Sequence, residues 1–206
     1  EEHPIGIQIF GADPGMMADA AAFVSETYGP DFIDINFGCP VKKVVKRNGG
    51  SGCLRDLTLV TSIIRAVDEA TRLPTTVKIR SGFNEGSRDP VGIALTCQDA
   101  GARVLCIHPR TRAEMYKGKA RWSEIESVVE ALAIPVLGNG DITCAEDAYR
   151  MRHETGCAGI MIARGSHGDP WIFRETRAIL DGSPSPPKPD VKERLSICLE
   201  HAENAI

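Results

Sequence analysis

The chain has 206 residues, of which 42% are hydrophobic and 25% are charged, so it can bury one sizeable core and is not a disordered or low-complexity chain. No segment approaches the roughly 20 consecutive apolar residues of a membrane-spanning helix, and the N-terminus lacks a charged and then apolar leader, so we expect neither a membrane protein nor a secreted one. The net charge of −4 argues mildly against a protein that binds nucleic acid over its whole surface.

Short apolar runs alternate with helical patterns along the chain. The predicted strands are residues 5–10, 32–37, 76–79, 104–107, 135–137 and 159–162. The predicted helices are residues 16–28, 57–71, 90–100, 123–132, 144–154 and 170–180. Because the strand runs are nearly continuously apolar, we expect them to be buried on both faces. Six strand-then-helix units at a spacing of roughly 30 residues predict parallel strands.

Two α/β architectures fit this order, a doubly wound open sheet and a TIM (β/α)8 barrel. Polar or reactive residues stand at the ends of five different strands, namely Cys39, Arg80, His108, Asn139 and Arg164. In a barrel these ends meet at one mouth, whereas in an open sheet only those at a switch point can cooperate. We therefore favour the barrel. Since six of its eight units are recognisable and a strand begins within the first few residues, we expect the first two β/α units to be absent.

A proline-rich segment follows the last predicted unit. We expect residues 1–181 to form the N-terminally truncated barrel. Residues 182–190, GSPSPPKPD, are typical of a linker. Residues 191–206 then begin a helix, which we interpret as the start of a C-terminal helical domain.

The seven cysteines are odd in number and contain no C-x-x-C pair. This pattern argues against a disulfide framework and against a zinc site, and no metal is predicted. It favours a reducing compartment, and we predict a cytoplasmic location.

Residues 138–141, GNGD, and 163–165, ARG, place glycine where a strand turns into a helix. Backbone N–H groups at such a turn can bind an anion, and these barrels often hold phosphate after their last two strands. A single turn of this kind more often has only a structural role. Two in consecutive units leave a phosphate-bearing ligand and a structural role both open.

Lys78 lies inside a predicted strand, where burying an amine is costly without an anionic or polar partner. It either reaches solvent at the strand end or points into the barrel toward an electron-rich ligand, such as the pyrimidine edge of a reduced flavin. His108 ends its own strand and could donate to the same ligand, although a single histidine is more often structural. Gln8, also in a strand, suits the imide edge of a flavin.

Cys39 stands beyond a strand end, between Gly38 and Pro40. A single cysteine is usually a small buried apolar residue. This one opens a long loop, residues 40–56, and long loops in compact domains are often functional. Cysteine thiols ordinarily titrate at about pH 8.5, so such a thiol could act as an acid at neutral pH. The basic residues of the loop, which suit either a solvated surface or an RNA contact, are Lys42, Lys43, Lys46 and Arg47.

Residues 34–44, DINFGCPVKKV, strongly resemble the active-site signature of the tRNA-dihydrouridine synthases, particularly the bacterial type B branch. The similarity continues, in the order of the family, through residues 8–11 (QIFG), 77–80 (VKIR), 108–112 (HPRTR), 138–142 (GNGDI), 159–165 (GIMIARG) and 170–173 (PWIF). The signature around the cysteine is highly specific, whereas GNGD alone is not.

The resemblance implies an FMN enzyme that uses NADPH to reduce a uridine of tRNA to 5,6-dihydrouridine, with hydride from the reduced flavin and a proton from Cys39. It also implies that Gln8, Lys78 and His108 hold the isoalloxazine ring and that Asn36 contacts the target uracil. The residues that it assigns to the ribityl phosphate are Asn139, Gly140, Asp141, Ala163, Arg164 and Gly165. Those that it assigns to tRNA are Lys42, Lys43, Lys46, Arg47 and Arg112, together with a helical domain that begins at residue 191.

Two other functions remain open at this point. The first is another FMN barrel oxidoreductase that acts on a free pyrimidine, in the manner of a dihydroorotate or dihydropyrimidine dehydrogenase. Such an enzyme needs neither the basic loop nor a helical tail. The second is a phosphate-binding barrel without redox chemistry, such as an isomerase, which would hold no flavin.

Overall fold

A computed structural model describes residues 3–204. Its strands are β1 (Gly6–Ile9), β2 (Phe32–Asn36), β3 (Thr75–Arg80), β4 (Val104–His108), β5 (Val136–Asn139) and β6 (Gly159–Met161). Its helices are α1 (Pro14–Tyr28), α2 (Lys42–Val45), α3 (Leu57–Ala70), α4 (Pro90–Asp99), α5 (Trp122–Ala131), α6 (Ala145–Thr155), α7 (Ile172–Leu180) and α8 (Val191–Asn204). The six predicted strands and six predicted helices are all present, and their ends differ from the prediction by no more than two residues.

The six strands form one parallel sheet in the order β1-β2-β3-β4-β5-β6. A doubly wound sheet reverses its strand order at a switch point, whereas a (β/α) barrel adds each new strand beside the last. The observed order contains no reversal. The predicted α/β class and barrel type are therefore confirmed, as six consecutive units of a partial (β/α) barrel.

The two faces of the sheet differ in chemistry, because residues paired across parallel strands share a face and neighbours along a strand alternate. One face carries Ile7, Ile9, Ile33, Ile35, Val77, Ile79, Leu105 and Ile107. The other, which we call the polar face, carries Gln8, Asp34, Asn36, Thr76, Lys78, Arg80, His108 and Asn139. The alternation brings the polar side chains of five strands to one surface.

The prediction of strands buried on both faces holds for β3 and β4, in the middle of the order. It is wrong for β1 and β6, where Gln8 and Met161 are exposed. These strands stand at the two ends of the order, so each pairs with one neighbour instead of two.

The helices begin and pack as their sequences dictate. Asp13 caps α1 by accepting a hydrogen bond from the Met16 N–H at 2.8 Å, and Pro14 occupies the first helical position. Asp56 caps α3 in the same way. The buried residues of α3 are Val60, Ile63, Ile64 and Val67. Burying each such side chain contributes about 1.5–3 kcal/mol, which explains how α3 is held in the core.

The segment after β2 is more ordered than the long loop predicted for residues 40–56. It contains α2 and a 3₁₀ helix, Gly50–Arg55. Asn48 and Gly50 have positive φ angles of 60° and 57°, a backbone conformation that reverses the chain direction at little cost for asparagine and glycine. The segment therefore folds back on its own beginning.

Two compact units divide the chain. The first comprises residues 1–141 and 150–161, and the second residues 142–149 and 162–206. The second unit contains a 3₁₀ helix, Arg164–Ser166, together with α7 and α8. Within it, Glu193 accepts hydrogen bonds from Trp171 Nε1 at 2.6 Å and Arg174 at 2.9 Å, which join α7 to α8.

The helix predicted from residue 191 is confirmed as α8, and residues 183–190 before it lack regular secondary structure. The domain limits at residues 181 and 190 remain a prediction. Residues 1, 2, 205 and 206, which those limits include, lie outside the described residues. No helix within residues 3–204 is long and apolar enough to cross a membrane.

Candidate active site

A chain of hydrogen bonds crosses the polar face from β3 to β1. Thr76 Oγ1 donates to Asp34 Oδ1 at 2.6 Å, and Gln8 Nε2 donates to Asp34 Oδ2 at 2.5 Å. Asn36 Nδ2 in turn donates to Gln8 Oε1 at 2.6 Å. Since the Asp34 carboxylate can only accept, the order of donors fixes both amide groups, and the Asn36 oxygen is left to face the turn that follows β2.

The Asn36 side chain organises the turn that carries Cys39. Its Oδ1 accepts the backbone N–H groups of Gly38 at 2.9 Å and Cys39 at 2.8 Å. On the other side of the turn, the Ser51 N–H and hydroxyl both donate to the Cys39 carbonyl, at 3.1 and 2.7 Å. The Cys39 residue is half-buried. Its backbone is thus held from two sides at the carboxyl end of β2.

Gly50 allows this close return of the chain. A Cβ atom added to it would lie 2.8 Å from the Cys39 Cβ, and its φ angle of 57° disfavours other residues. Glycine at this position is therefore needed to bring Ser51 against the Cys39 carbonyl.

Arg80 fastens the same turn from the neighbouring strand. Its guanidinium is buried and donates to three backbone carbonyls, those of Gly38 at 2.8 Å, Thr111 at 3.1 Å and Met115 at 2.8 Å. Burial lowers the pKa of Arg80 from its ordinary value. These bonds tie the loop after β2 to the loop after β4, so Arg80 positions the Cys39 turn.

A second network joins β3, β4 and β5. Asn139 Oδ1 receives Lys78 Nζ at 3.0 Å and lies 3.1 Å from His108 Nδ1, while Asn139 Nδ2 donates to the Met161 carbonyl at 2.8 Å. The amide of Asn139 is oriented by that carbonyl, which can only accept. Lys78 and His108 therefore meet at one oxygen on the polar face.

The protonation of His108 follows from its partners. Its Nε2 lies 3.1 Å from Arg110 NH1, which can only donate, so Nε2 accepts and the proton sits on Nδ1, which donates to Asn139. Burial lowers the pKa of His108 to about 4, helped by the nearby cations Arg80 and Lys78. His108 is therefore neutral at neutral pH, with both ring nitrogens already bonded.

Arg110 extends this network to Asp141. Its side chain is 2% exposed and donates to Asp141 Oδ2 at 2.8 Å, and Asp141 Oδ2 also accepts the Ala120 N–H at 2.7 Å. Partial burial alone would raise the pKa of Asp141, but the Ala120 N–H and the Arg110 guanidinium hold it below its ordinary value. The Asp141 carboxylate thus already has structural partners.

Gly140 and Gly165 both have structural reasons to be glycine. Gly140 has a φ angle of 123°, and its carbonyl accepts a hydrogen bond from Trp122 Nε1 at 3.1 Å. In the second unit, a Cβ atom added to Gly165 would lie 2.2 Å from the Ile142 carbonyl oxygen. These contacts neither require nor oppose a bound phosphate, and the phosphate roles of residues 139–141 and of Ala163, Arg164 and Gly165 remain predictions.

The predicted tRNA-binding residues separate into two groups. Lys42, Lys46 and Arg112 line an open cleft of about 450 Å³, together with Val45 and Arg55. The other two members of the set, Lys43 and Arg47, are exposed on the same segment but do not line the cleft.

Several residues of the site were not singled out from the sequence. Asp34 and Thr76 could have been found from the alternation of polar residues with isoleucine or valine in residues 33–36 and 75–80, because such a period places them beside Asn36 and Lys78. Arg55 is basic but carries no other signal in the sequence.

Comparison with known proteins adds a family and a fold. The model of the family described as Dihydrouridine synthase (Dus) matches residues 1–206. The tRNA-dihydrouridine synthase B of Pseudomonas aeruginosa is 42% identical over 204 residues, which cover 98% of this chain and 60% of that protein. The probable tRNA-dihydrouridine synthase 1 of Synechocystis sp. is 42% identical over 202 residues, covering 98% and 57%. The chain thus spans about 60% of the length of these curated relatives.

Among solved structures, a muconate lactonizing enzyme from Mucobacterium Smegmatis, complexed with muconolactone, has a TM-score of 0.60 at 15% identity and covers 87% of this chain and 42% of that one. Muconate cycloisomerase from Pseudomonas fluorescens has a TM-score of 0.59 at 15% identity, covering 87% and 43%. Similarity at this level of identity concerns the fold alone.

Proposed function

The chain belongs to the dihydrouridine synthase family, and on that premise we propose that it supplies the reducing site of an enzyme that converts a uridine of tRNA to 5,6-dihydrouridine. The observation that carries the proposal is the Cys39 turn. One hydrogen-bonded chain, through Asn36 and Gln8, links the backbone of the half-buried Cys39 residue to the polar face. The proposed proton donor and the proposed ligand-binding face are thereby linked by hydrogen bonds.

The polar face fits a flavin in one specific respect. Lys78 is half-buried, and within residues 3–204 its amine has one hydrogen bond, to Asn139, and no carboxylate partner. An ammonium has three N–H donors, so two remain for an electron-rich ring. Gln8 exposes a side-chain amide on the same face. These features support FMN as the cofactor, with Lys78 favouring negative charge on the pyrimidine edge of the ring.

When bound and reduced, FMN would supply hydride to the uracil ring, and NADPH is the proposed source of its electrons. His108 would contact the ring by giving up its bond to Asn139 or to Arg110, because both of its nitrogens are bonded. The phosphate contacts implied for residues 139–141 in the first unit and 163–165 in the second are kept as separate proposals.

Cys39 would complete the reduction as the acid. Hydride adds to one carbon of the C5=C6 double bond, the thiol proton of Cys39 adds to the other, and the bond becomes single. The thiolate that remains takes a proton from solvent. Proton transfer from a positioned side chain contributes about 10²–10⁴-fold to a rate. Asn36, whose Nδ2 keeps a second N–H beyond its bond to Gln8, would donate to the uracil.

The proposed partner is tRNA. A uridine stacked in folded RNA cannot reach a site at the floor of a barrel mouth, so the base must first leave its stack. The basic residues that support an RNA partner follow Cys39 closely in the chain, since α2 begins at Lys42. The proposed location is the cytoplasm, because all seven cysteines are free.

A substrate comparison tests this function. The complete protein that contains this chain is incubated with NADPH and either unmodified tRNA or free pyrimidines, and the products are identified by mass spectrometry. We expect dihydrouridine in tRNA and negligible reduction of free uracil or oxidation of dihydroorotate. Efficient turnover of a free pyrimidine with no change in tRNA would refute the proposal and favour a dehydrogenase of free pyrimidines. A purified protein that never binds flavin would refute both.

A further inference from the structure

The loops that follow β3 and β4 are joined by backbone hydrogen bonds. The Gly82 carbonyl, in the first loop, accepts the N–H of Arg112, in the second, at 2.9 Å. The Phe83 carbonyl likewise accepts the Ala113 N–H at 3.0 Å. The position of one loop therefore determines the position of the other.

A cluster of charges connects the same two loops to α5. The side chain of Arg88 is 11% exposed and forms ion pairs with three carboxylates, at 2.8, 2.6 and 2.7 Å, from Glu85, Glu114 and Glu124. We call these four residues the Arg88 cluster. Glu85 and Arg88 follow β3, Glu114 follows β4, and Glu124 lies in α5. Isolated surface ion pairs contribute little, but a largely buried guanidinium shared by three carboxylates forms a network that can fix the geometry of two loops.

Glu114 connects the Arg88 cluster to the backbone of the loop after β4. The carboxylate oxygen that pairs with Arg88 also accepts the Thr111 N–H at 2.6 Å. In return, the Glu114 N–H donates to the Thr111 hydroxyl at 3.3 Å. The carbonyl of Thr111, a fully buried residue, accepts the Arg80 guanidinium at 3.1 Å. Thr111 is therefore held by the cluster at its N–H and by Arg80 at its carbonyl.

Met115, which follows Glu114, has an unfavourable backbone conformation. Its φ angle of 56° lies in the left-handed region, which is uncommon for residues other than glycine, asparagine and aspartate. Such a conformation persists only where the surrounding structure holds it, and it is frequent at functional sites. The Met115 carbonyl accepts the Arg80 guanidinium at 2.8 Å. The strained residue thus supplies one of the carbonyls that hold Arg80.

We propose that Arg88 is a positioning residue for the reduction of uridine, and that it acts through Arg80 on the Cys39 thiol. The proposal rests on the proposed function and deepens it. Arg88 holds Glu114, and Glu114 holds the turn of residues 111–115. That turn gives Arg80 two of its three carbonyls, and the third belongs to the residue before Cys39. Loss of Arg88 should therefore impair proton donation and leave flavin reduction unchanged.

Four variants of the complete protein test this role. Arg88→Gln removes the charge, and Arg88→Lys keeps it without the planar guanidinium. Glu114→Gln is a milder change, which keeps an oxygen for the Thr111 N–H but removes the ion pair. Arg121→Gln is the matched control, because Arg121 approaches the same three carboxylates at 3.4, 3.5 and 3.8 Å but its side chain is 46% exposed. Thermal unfolding of each variant verifies that it is folded.

The two half-reactions are timed separately. The bound flavin is reduced with NADPH in the absence of oxygen and is then mixed with excess unmodified tRNA. In Arg88→Gln we expect flavin reduction and tRNA affinity to match the parent. Reoxidation of the flavin by tRNA should be slower by about 10-fold to 10²-fold, since a displacement of about 1 Å can cost 10²-fold. Arg88→Lys and Glu114→Gln should show smaller losses, and Arg121→Gln none.

The decisive comparison adds Arg88→Gln to Cys39→Ala. A residue that acts only through the thiol should slow the reaction much less once the thiol is gone, because the effects of coupled residues do not add. An equal loss with and without Cys39 would assign Arg88 to binding or folding and would overturn the proposal. If Arg88→Gln does not fold, Glu114→Gln takes its place in the same comparison.

Hydrogen exchange of backbone amides gives a result that does not depend on activity. The N–H groups of Thr111 and Cys39 should exchange faster in Arg88→Gln than in the parent or in Arg121→Gln, and unchanged exchange would overturn the proposal. If the unaltered protein reduces uridine and Cys39→Ala is impaired while Arg88→Gln reacts at the parent rate, this proposal alone is wrong. If the unaltered protein does not reduce tRNA, the proposed function fails first and this proposal with it.

Discussion

Acid should destabilise this protein through the buried imidazole of His108. The folded pKa of His108 is about 4, because the ring is buried and lies near Arg80 and Lys78, whereas an unfolded histidine titrates at about 6.5. Between these two values the unfolded chain binds a proton that the folded chain does not. Stability is therefore fully present above about pH 6.5 and is lost as the pH falls toward 4.

The size of the effect follows from the two pKa values. The whole shift corresponds to roughly 3 kcal/mol of unfolding free energy, and about 2 kcal/mol of it should be lost by pH 5. The surface carboxylates of Glu85 and Glu114 contribute little in this range, because their pKa values are lowered and their stabilisation is lost at lower pH. The other four histidines are exposed.

Urea unfolding at pH 7.5, 6 and 5 measures this loss, with His108→Gln as the matched variant. The variant should be less stable at pH 7.5 but should lose less stability on acidification than the parent. Nitrogen NMR of the His108 imidazole tests the tautomer independently, and it should show the proton on Nδ1 at neutral pH. A His108 that titrates near pH 6.5, or equal pH dependence of parent and variant, would refute the burial and tautomer assigned to it.

Two further predictions concern the Cys39 turn and the flavin. Gly50→Ala should lower the free energy of unfolding by about 1–3 kcal/mol, because alanine is strained at a φ angle of 57° and its Cβ would crowd Cys39; urea unfolding that matches the parent would contradict this. Lys78→Ala should weaken flavin retention, since it removes the half-buried cation of the polar face; flavin absorbance after dialysis measures this, and retention equal to that of the parent would count against a flavin-facing lysine.

The order of strands and helices could be predicted from the sequence because each element carries its own local signal. Isoleucine-rich runs of the right length, the Asp13-Pro14 start of α1 and the spacing of Val60, Ile63, Ile64 and Val67 in α3 are visible without tertiary contacts. The family signature likewise lies within one segment. Resemblance assigned Gln8, Lys78 and His108 to the flavin ring and Asn36 to the target uracil, and the structure brings these four side chains to the same face.

The contacts that hold the site together could not be predicted, because they join residues far apart along the chain. Arg80 reaches Gly38, Thr111 and Met115 only because the strand register and two loop paths bring them together. The stacking of Arg55 on Phe83 depends on where the segment after β2 turns back. The prediction that β1 is buried on both faces was wrong, because Gln8 is exposed on the polar face.

The most direct test of Cys39 as the acid measures flavin reduction by NADPH and uridine reduction in tRNA separately in the variant Cys39→Ala. In the complete protein, NADPH should still reduce the bound flavin, because Cys39 takes no part in that step, while dihydrouridine formation in tRNA should fall by about 10²-fold or more. Cys198→Ala, which removes an exposed thiol in α8, should behave as the parent does. Dihydrouridine formed by Cys39→Ala at the parent rate would contradict the assignment of Cys39 as the acid.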